Sequence, residues 1–272
     1  MSSFNTISVE KLARLVGTPK CPVLIDVSTD EDFAADLCMV PGSIRRSYNT
    51  VAEWAPEFTG SSVVVLCQKG LKLSHGAAAW LRFAGISADA LEGGILEWSQ
   101  AGLPLVPKAK LPPRDPHGRT VWVTRSRPKI DRIACPWLIR RFVDPSAVFL
   151  FVPPSEVQTV AERFGATPFD IEGGDIFWSH RGELCTFDVM VEEFGLMTEP
   201  LQRLATIVRG ADTARLDLAP EAAGLLAASL GLSRMFADDI AQLEAGLLLY
   251  DAFYRWCRDA TGETHNWPKS GV

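Results

Sequence analysis

The segment Cys67-Gln68-Lys69-Gly70-Leu71-Lys72 has the clearest capacity for chemistry in the chain. Val63–Leu66 precede the cysteine and read, with it, as a buried strand, flanked by Ser62 and Gly70. A helical pattern over Leu73–Phe83 follows, with Gly85 as its C-cap. In open α/β sheets, ligands bind just beyond the carboxyl ends of the strands. A loop closing there onto a helix N-terminus turns several backbone N–H groups into one concavity. Such a concavity suits an anion and favours thiolate over thiol, and the thiolate is the nucleophile. Lys69 and Lys72 add positive charge, and Gly70 permits positive φ in a tight loop. The competing reading is a buried strand-end cysteine beside solvated lysines.

Two further runs hold reactive side chains. Arg125 to Pro145 is dense in arginine, with Arg125, Arg127, Arg132, Arg140 and Arg141 near Asp131. Converging, these would form an oxyanion pocket; dispersed, they are solvated or ion-paired faces. Asp131 is a candidate cap for the helix after it, and Pro136 fits best near that helix's start. Phe169 to Asp188 gathers Asp170, Glu172, Asp175, His180, Glu183 and Cys185 around two glycines. Histidine with carboxylates can hold a transition metal, and His180, Cys185 and Asp212 are the candidate ligands. Asp212, after a helical apolar run, either caps the next segment or joins that site. Structural polar contacts are the alternative.

These residues need elements to position them. The chain has 272 residues, 47% of them hydrophobic and 22% charged, enough apolar side chain for two packed domains of ordinary size. In residues 1–106, strand-like Val23–Val27, Val63–Cys67 and Ala90-Leu91 alternate with helical Ser8–Val16, Asp30–Leu37, Leu73–Phe83 and Ile95–Ala101. That alternation is an α/β pattern with a mainly parallel sheet. Residues 107–118 hold four prolines and read as an extended linker. Residues 119–272 open with a strand at Thr120–Thr124, a helix at Asp131–Val143, a strand at Val148–Val152 and a helix at Ser155–Phe164. From Glu199 onward the pattern is helical, with Leu243, Leu247, Tyr250, Tyr254 and Cys257 on one face. This half reads as mostly helical α+β.

Composition narrows the function classes. No run of about 18 apolar residues is present, so no membrane span is expected. The opening residues lack a basic segment followed by an apolar core, so they do not read as a secretory signal. Six scattered cysteines without a CxxC pair point to free thiols in a reducing cytoplasm. A net charge of −6 without a basic domain argues against nucleic acid as a partner. Oligomeric state is not legible here.

The first half resembles rhodanese-like domains. The resemblance is carried by Asp26-Val27, Phe33, Val40-Pro41-Gly42-Ser43-Ile44, Cys67–Lys72, and Leu91-Glu92-Gly93-Gly94-Ile95 with Trp98 and Gly102-Leu103-Pro104. It implies a rhodanese-like fold and a sulfurtransferase. Cys67 would take a sulfane sulfur from thiosulfate or a similar donor and hold it as a persulfide, with no cofactor required. The amides of residues 68–72 would cradle it, with Asp26 in support. Ser28 and Met39 stand where this family usually has Arg and His. The phosphatase branch of the fold needs an Arg six residues after the cysteine, and Leu73 occupies that place.

The second half resembles the C-terminal domain of the chromate resistance protein B family, on Arg127–Pro145, His180–Phe187 and Ile207–Thr213. That resemblance implies a bacterial protein associated with chromate resistance, with chromate as a candidate ligand. The leading expectation is a cytoplasmic sulfurtransferase coupled to this domain. The alternative is an oxyanion- or metal-sensing binding protein whose first domain is not catalytic.

Overall fold

The structure, a computed structural model, describes residues 5–173 and 176–263. The first half contains β1 (Thr6–Ile7), α1 (Val9–Ala13), β2 (Val23–Asp26), α2 (Asp30–Ala35), β3 (Cys38–Met39), β4 (Ser43–Arg45), α3 (Val51–Trp54), β5 (Ser62–Leu66), α4 (Lys72–Phe83), β6 (Ser87–Leu91), α5 (Gly94–Gln100) and β7 (Val106–Pro107). Ser8 caps α1 by accepting from the Lys11 amide. Five strands form a sheet in the order β1-β6-β5-β2-β4, and every pairing in it is parallel. The Cys67 strand, β5, is therefore the central one.

Alternation along β5 decides which way the cysteine faces. Val64 and Leu66 join one apolar cluster, while Val63, Val65 and Cys67 join another with Ala77, Ala78 and Leu81 of α4. Both faces are covered, which is why β2 and β5 are continuous apolar runs.

The second half contains β8 (Val121–Arg125), α6 (Asp131–Leu138), β9 (Val148–Val152), α7 (Val157–Phe164), β10 (Thr167–Pro168), α8 (Thr186–Glu193), α9 (Glu199–Asp212), α10 (Glu221–Met235) and α11 (Asp239–Asp259). Three short parallel strands, β10-β8-β9, carry a mostly helical layer. Leu243, Leu247, Tyr250, Tyr254 and Cys257 are all buried on α11. Pro136 lies well inside α6 rather than near its start, and the chain continues into a π-helical turn at Ile139–Val143.

One apolar cluster runs through both halves. Leu12, Val16, Leu24 and Leu66 share it with Trp137, Phe142, Phe187 and Tyr254. Gly42 N donates to Phe142 O at 2.7 Å, and a Cβ on Gly17 would lie 2.2 Å from the Phe142 ring. The proline-rich segment is held to this body. Val106–Pro107 pairs antiparallel with Cys38–Met39, and Lys108 Nζ donates to Phe33 O at 2.6 Å and to Asp36 O at 2.9 Å. Among the described residues no helix is long and apolar enough to cross a membrane.

Candidate functional site

Cys67 follows the last residue of β5 and is 5% exposed. Its Sγ donates to Ser74 Oγ at 3.3 Å, and Ser74 Oγ donates to Leu71 O at 3.1 Å. Among the described residues, the amides of Gln68, Lys69, Leu71, Lys72, Leu73 and Ser74 meet no backbone carbonyl. They form the N–H-rich turn expected where a loop enters a helix. Lys69, Leu71 and Lys72 are exposed around it, and His75 is also on the surface.

The carbonyls of this loop are occupied from the other side. Cys67 O accepts from Gly70 N and Ile95 N, and Gln68 O accepts from Leu96 N. Gly70 and Gly94 have φ of +62° and +64°, a region costly for residues with a Cβ. The N-terminus of α5 is thus pressed against the loop, and Trp98, whose Nε1 donates to Pro104 O, anchors α5 in the core. Asp26 is turned onto its own chain. Its Oδ1 accepts from Ser28 N at 2.9 Å and Ser28 Oγ at 2.6 Å, so it braces the end of β2.

A second centre lies in the other half. His180 Nε2 is 3.5 Å from Asp131 Oδ2, 3.4 Å from Asp170 Oδ1 and 3.4 Å from Asp212 Oδ2. The four residues come from the start of α6, the loop after β10, the loop before α8 and the end of α9. Asp131 is fully buried and does not cap its own helix. It accepts from Thr186 N at 2.7 Å and Phe187 N at 3.1 Å, and so caps α8 instead. Asp170 Oδ1 accepts from Thr186 Oγ1, and its Oδ2 lies 3.5 Å from Arg125 and 3.3 Å from Arg132. Ile130 and Asp170 flank the centre with φ of +41° and +49°, strain of the kind held at functional sites.

The electrostatics follow from this crowding. The carboxylates of Asp131, Asp170 and Asp212 facing Nε2 push the His180 imidazolium up to about 12. Burial raises the Asp131 carboxyl to about 7. Burial also works on Asp170, but the facing His180 imidazole and the charges of Arg132 and Arg125 outweigh it and hold its carboxyl below the usual range. Burial raises the thiols of Cys135 and Cys185.

The arginines do not share one pocket. Arg125 and Arg132 face Asp170, Arg140 pairs with Glu244, and Arg141 grips Asp251 through two hydrogen bonds of 2.8 Å. Arg127 donates to the carbonyls of Ser233 and Phe236. Cys185 stands apart from His180 as the N-cap of α8, with its thiol donating to Asp188 at 3.1 Å. Of the expected metal ligands, the fold brings together His180 and Asp212 and adds Asp131 and Asp170. Asp170 stood in the acidic run but outside the candidate ligands. Asp175 lies outside the described residues.

Comparison with known proteins agrees with both halves. Residues 122–257 match the family model described as ChrB, C-terminal domain, and residues 8–101 match that of the rhodanese-like domain. Protein ChrB of Cupriavidus metallidurans is 34% identical over 148 residues, which is 53% of this chain and 43% of that protein. The chain therefore spans less than half of that relative. Among solved structures, a rhodanese-related protein from Thermoplasma volcanium is 24% identical, covering 38% of this chain and 98% of its own, with a TM-score of 0.33. A thiosulfate sulfurtransferase from Pseudomonas aeruginosa is 26% identical, covering 39% of this chain and 20% of its own, with a TM-score of 0.32.

Proposed function

The chain belongs to the ChrB C-terminal domain family and carries a rhodanese-like domain ahead of that domain; from this premise we propose that it is a sulfurtransferase with Cys67 as the sulfur carrier. The observation supporting this is that, among the described residues, six amides between Gln68 and Ser74 meet no backbone carbonyl, in the loop that follows a cysteine at the end of the central strand. In the first step the Cys67 thiolate attacks the sulfane sulfur of thiosulfate. A new S–S bond forms, the donor's S–S bond breaks, and sulfite leaves with the electron pair. In the second step a nucleophilic acceptor attacks the outer sulfur and Cys67 leaves as thiolate. Neither step needs a redox partner or a cofactor.

Each part of the loop has a task in this reading. The amides and the exposed Lys69 and Lys72 draw in the dianion. Ser74 Oγ accepts the thiol hydrogen bond at rest and turns to donate to the anionic sulfur once it forms. Intact-mass spectrometry after thiosulfate treatment tests the proposal. An adduct of about 32 Da, one sulfur atom, mapping to Cys67 and absent from Cys67→Ser, is the expected result. An unmodified Cys67, or full cyanide-dependent thiocyanate production by Cys67→Ser, refutes it.

A binding role in chromate resistance is the second reading, favoured by the thiol resting nearly buried against Ser74. Chromate, like thiosulfate, is a tetrahedral oxyanion. In this case chromate raises the melting temperature of the whole chain while no sulfur adduct forms.

A further inference from the structure

His180 has one N–H at Nε2 and three carboxylate oxygens around it, at 3.4, 3.4 and 3.5 Å. One donor cannot satisfy three acceptors, and these separations are longer than a good N–H···O bond of about 2.9 Å. They fit another arrangement. Ligands about 2.1 Å from a tetrahedral ion stand about 3.4 Å from each other. Ligand atoms of Asp131, Asp170 and His180 all lie within 4.8 Å of one another. The two buried carboxylates, Asp131 and Asp170, are fixed in place by Thr186 and Phe187 of α8, as the ligand side chains of a preorganised site are.

A separate feature opens the centre to solvent. A cavity of about 370 Å³, lined by Arg125, Asp170, Glu172, Ser179 and His180, adjoins it. The His180 side chain is 41% exposed, so an ion has an entry path.

We propose that Asp131, Asp170 and His180 form a binding site for a first-row divalent cation such as Mn²⁺ or Zn²⁺, which takes the place of the His180 Nε2 proton, with Asp212 beside the imidazole as a further negative charge. Two carboxylate oxygens and one imidazole nitrogen suit these ions better than Cu(I), which prefers sulfur ligands. Cys135 and Cys185 are buried nearby but are not part of the site. The site uses none of the residues of the Cys67 loop and stands independently of the sulfur-carrier reading.

The test uses the tag-free full chain, stripped with chelator and titrated with Mn²⁺ alone and with Zn²⁺ alone by calorimetry, with metal content measured after gel filtration. About one ion per chain and a raised melting temperature are expected. Asp131→Asn is avoided because Asp131 also caps α8. His180→Gln is a more exposed change and lowers affinity at least about tenfold, while His75→Gln on the surface of α4 binds as the parent does. An unliganded parent chain after titration with both ions overturns the proposal. So does unchanged affinity in His180→Gln.

Discussion

Gly70 and Gly94 each occupy space the other would need for a side chain. A Cβ on Gly70 would come within 2.4 Å of Gly94 N, and a Cβ on Gly94 within 2.3 Å of Gly70 N and 2.2 Å of Cys67 O. The contact is backbone against backbone, so no rotamer change relieves it. Gly94→Ala is expected to destabilise by about 1–3 kcal/mol through its φ alone, and to displace the loop. Urea unfolding and thiosulfate loading together check this. A variant with parental stability and parental sulfur loading contradicts it.

Lys69 and Lys72 are exposed at the loop mouth, so their effect on an incoming dianion is long-range and screened by salt. The rate of sulfur loading from thiosulfate is expected to fall with ionic strength in the parent. In the double variant Lys69→Gln/Lys72→Gln the rate drops about fivefold at low salt, as loss of roughly 1 kcal/mol implies, and its salt dependence flattens. Equal slopes in stopped-flow measurements count against the assignment.

The apolar cluster that crosses the two halves predicts one unfolding event. Phe142 is 3% exposed and packs against Gly17 and Tyr254. Phe142→Ala is expected to cost about 3–5 kcal/mol. Hydrogen exchange followed by peptide mass spectrometry should show peptides of β5 and of α11 losing protection together. Loss confined to the second half would show that the halves unfold independently.

Glu193, on α8, pairs with Lys110 of the proline-rich segment and with Arg181. Those two hydrogen bonds hold its carboxyl below the usual carboxylate value. A depressed carboxyl contributes stability that is present above its unfolded pKa, about 4.3, and is lost as pH falls through the folded value. The melting temperature of the parent should therefore drop more steeply below about pH 4.5 than that of Glu193→Gln. Parallel curves for the two proteins rule this out.

The Cys67 loop is legible in sequence because its parts are contiguous: an apolar strand, a cysteine, a glycine and a helix within a short span. The same holds for the helix that opens at Ser8 and for the apolar face of α11. The carboxylate centre is only half legible. His180 and Asp212 stand out as ligand types, but Asp131 and Asp170 reach them through the packing of α6, α8 and β10, which local spacing does not encode. The start of α8 is not marked in the sequence, because the Gly- and Asp-rich run before it carries no helical period. The shared core is hidden for a different reason. An apolar residue such as Val64 or Phe142 announces that it is buried, not what buries it.

That shared core has a consequence for delivery. Phe142 is wedged beside Gly17 and its carbonyl is held by Gly42, so the two centres ride on one block of protein with no swinging arm between them. In the proposed reaction, sulfur on Cys67 would therefore leave past the exposed Lys69, Leu71 and Lys72, into solvent or onto a visiting acceptor, and not by domain rotation.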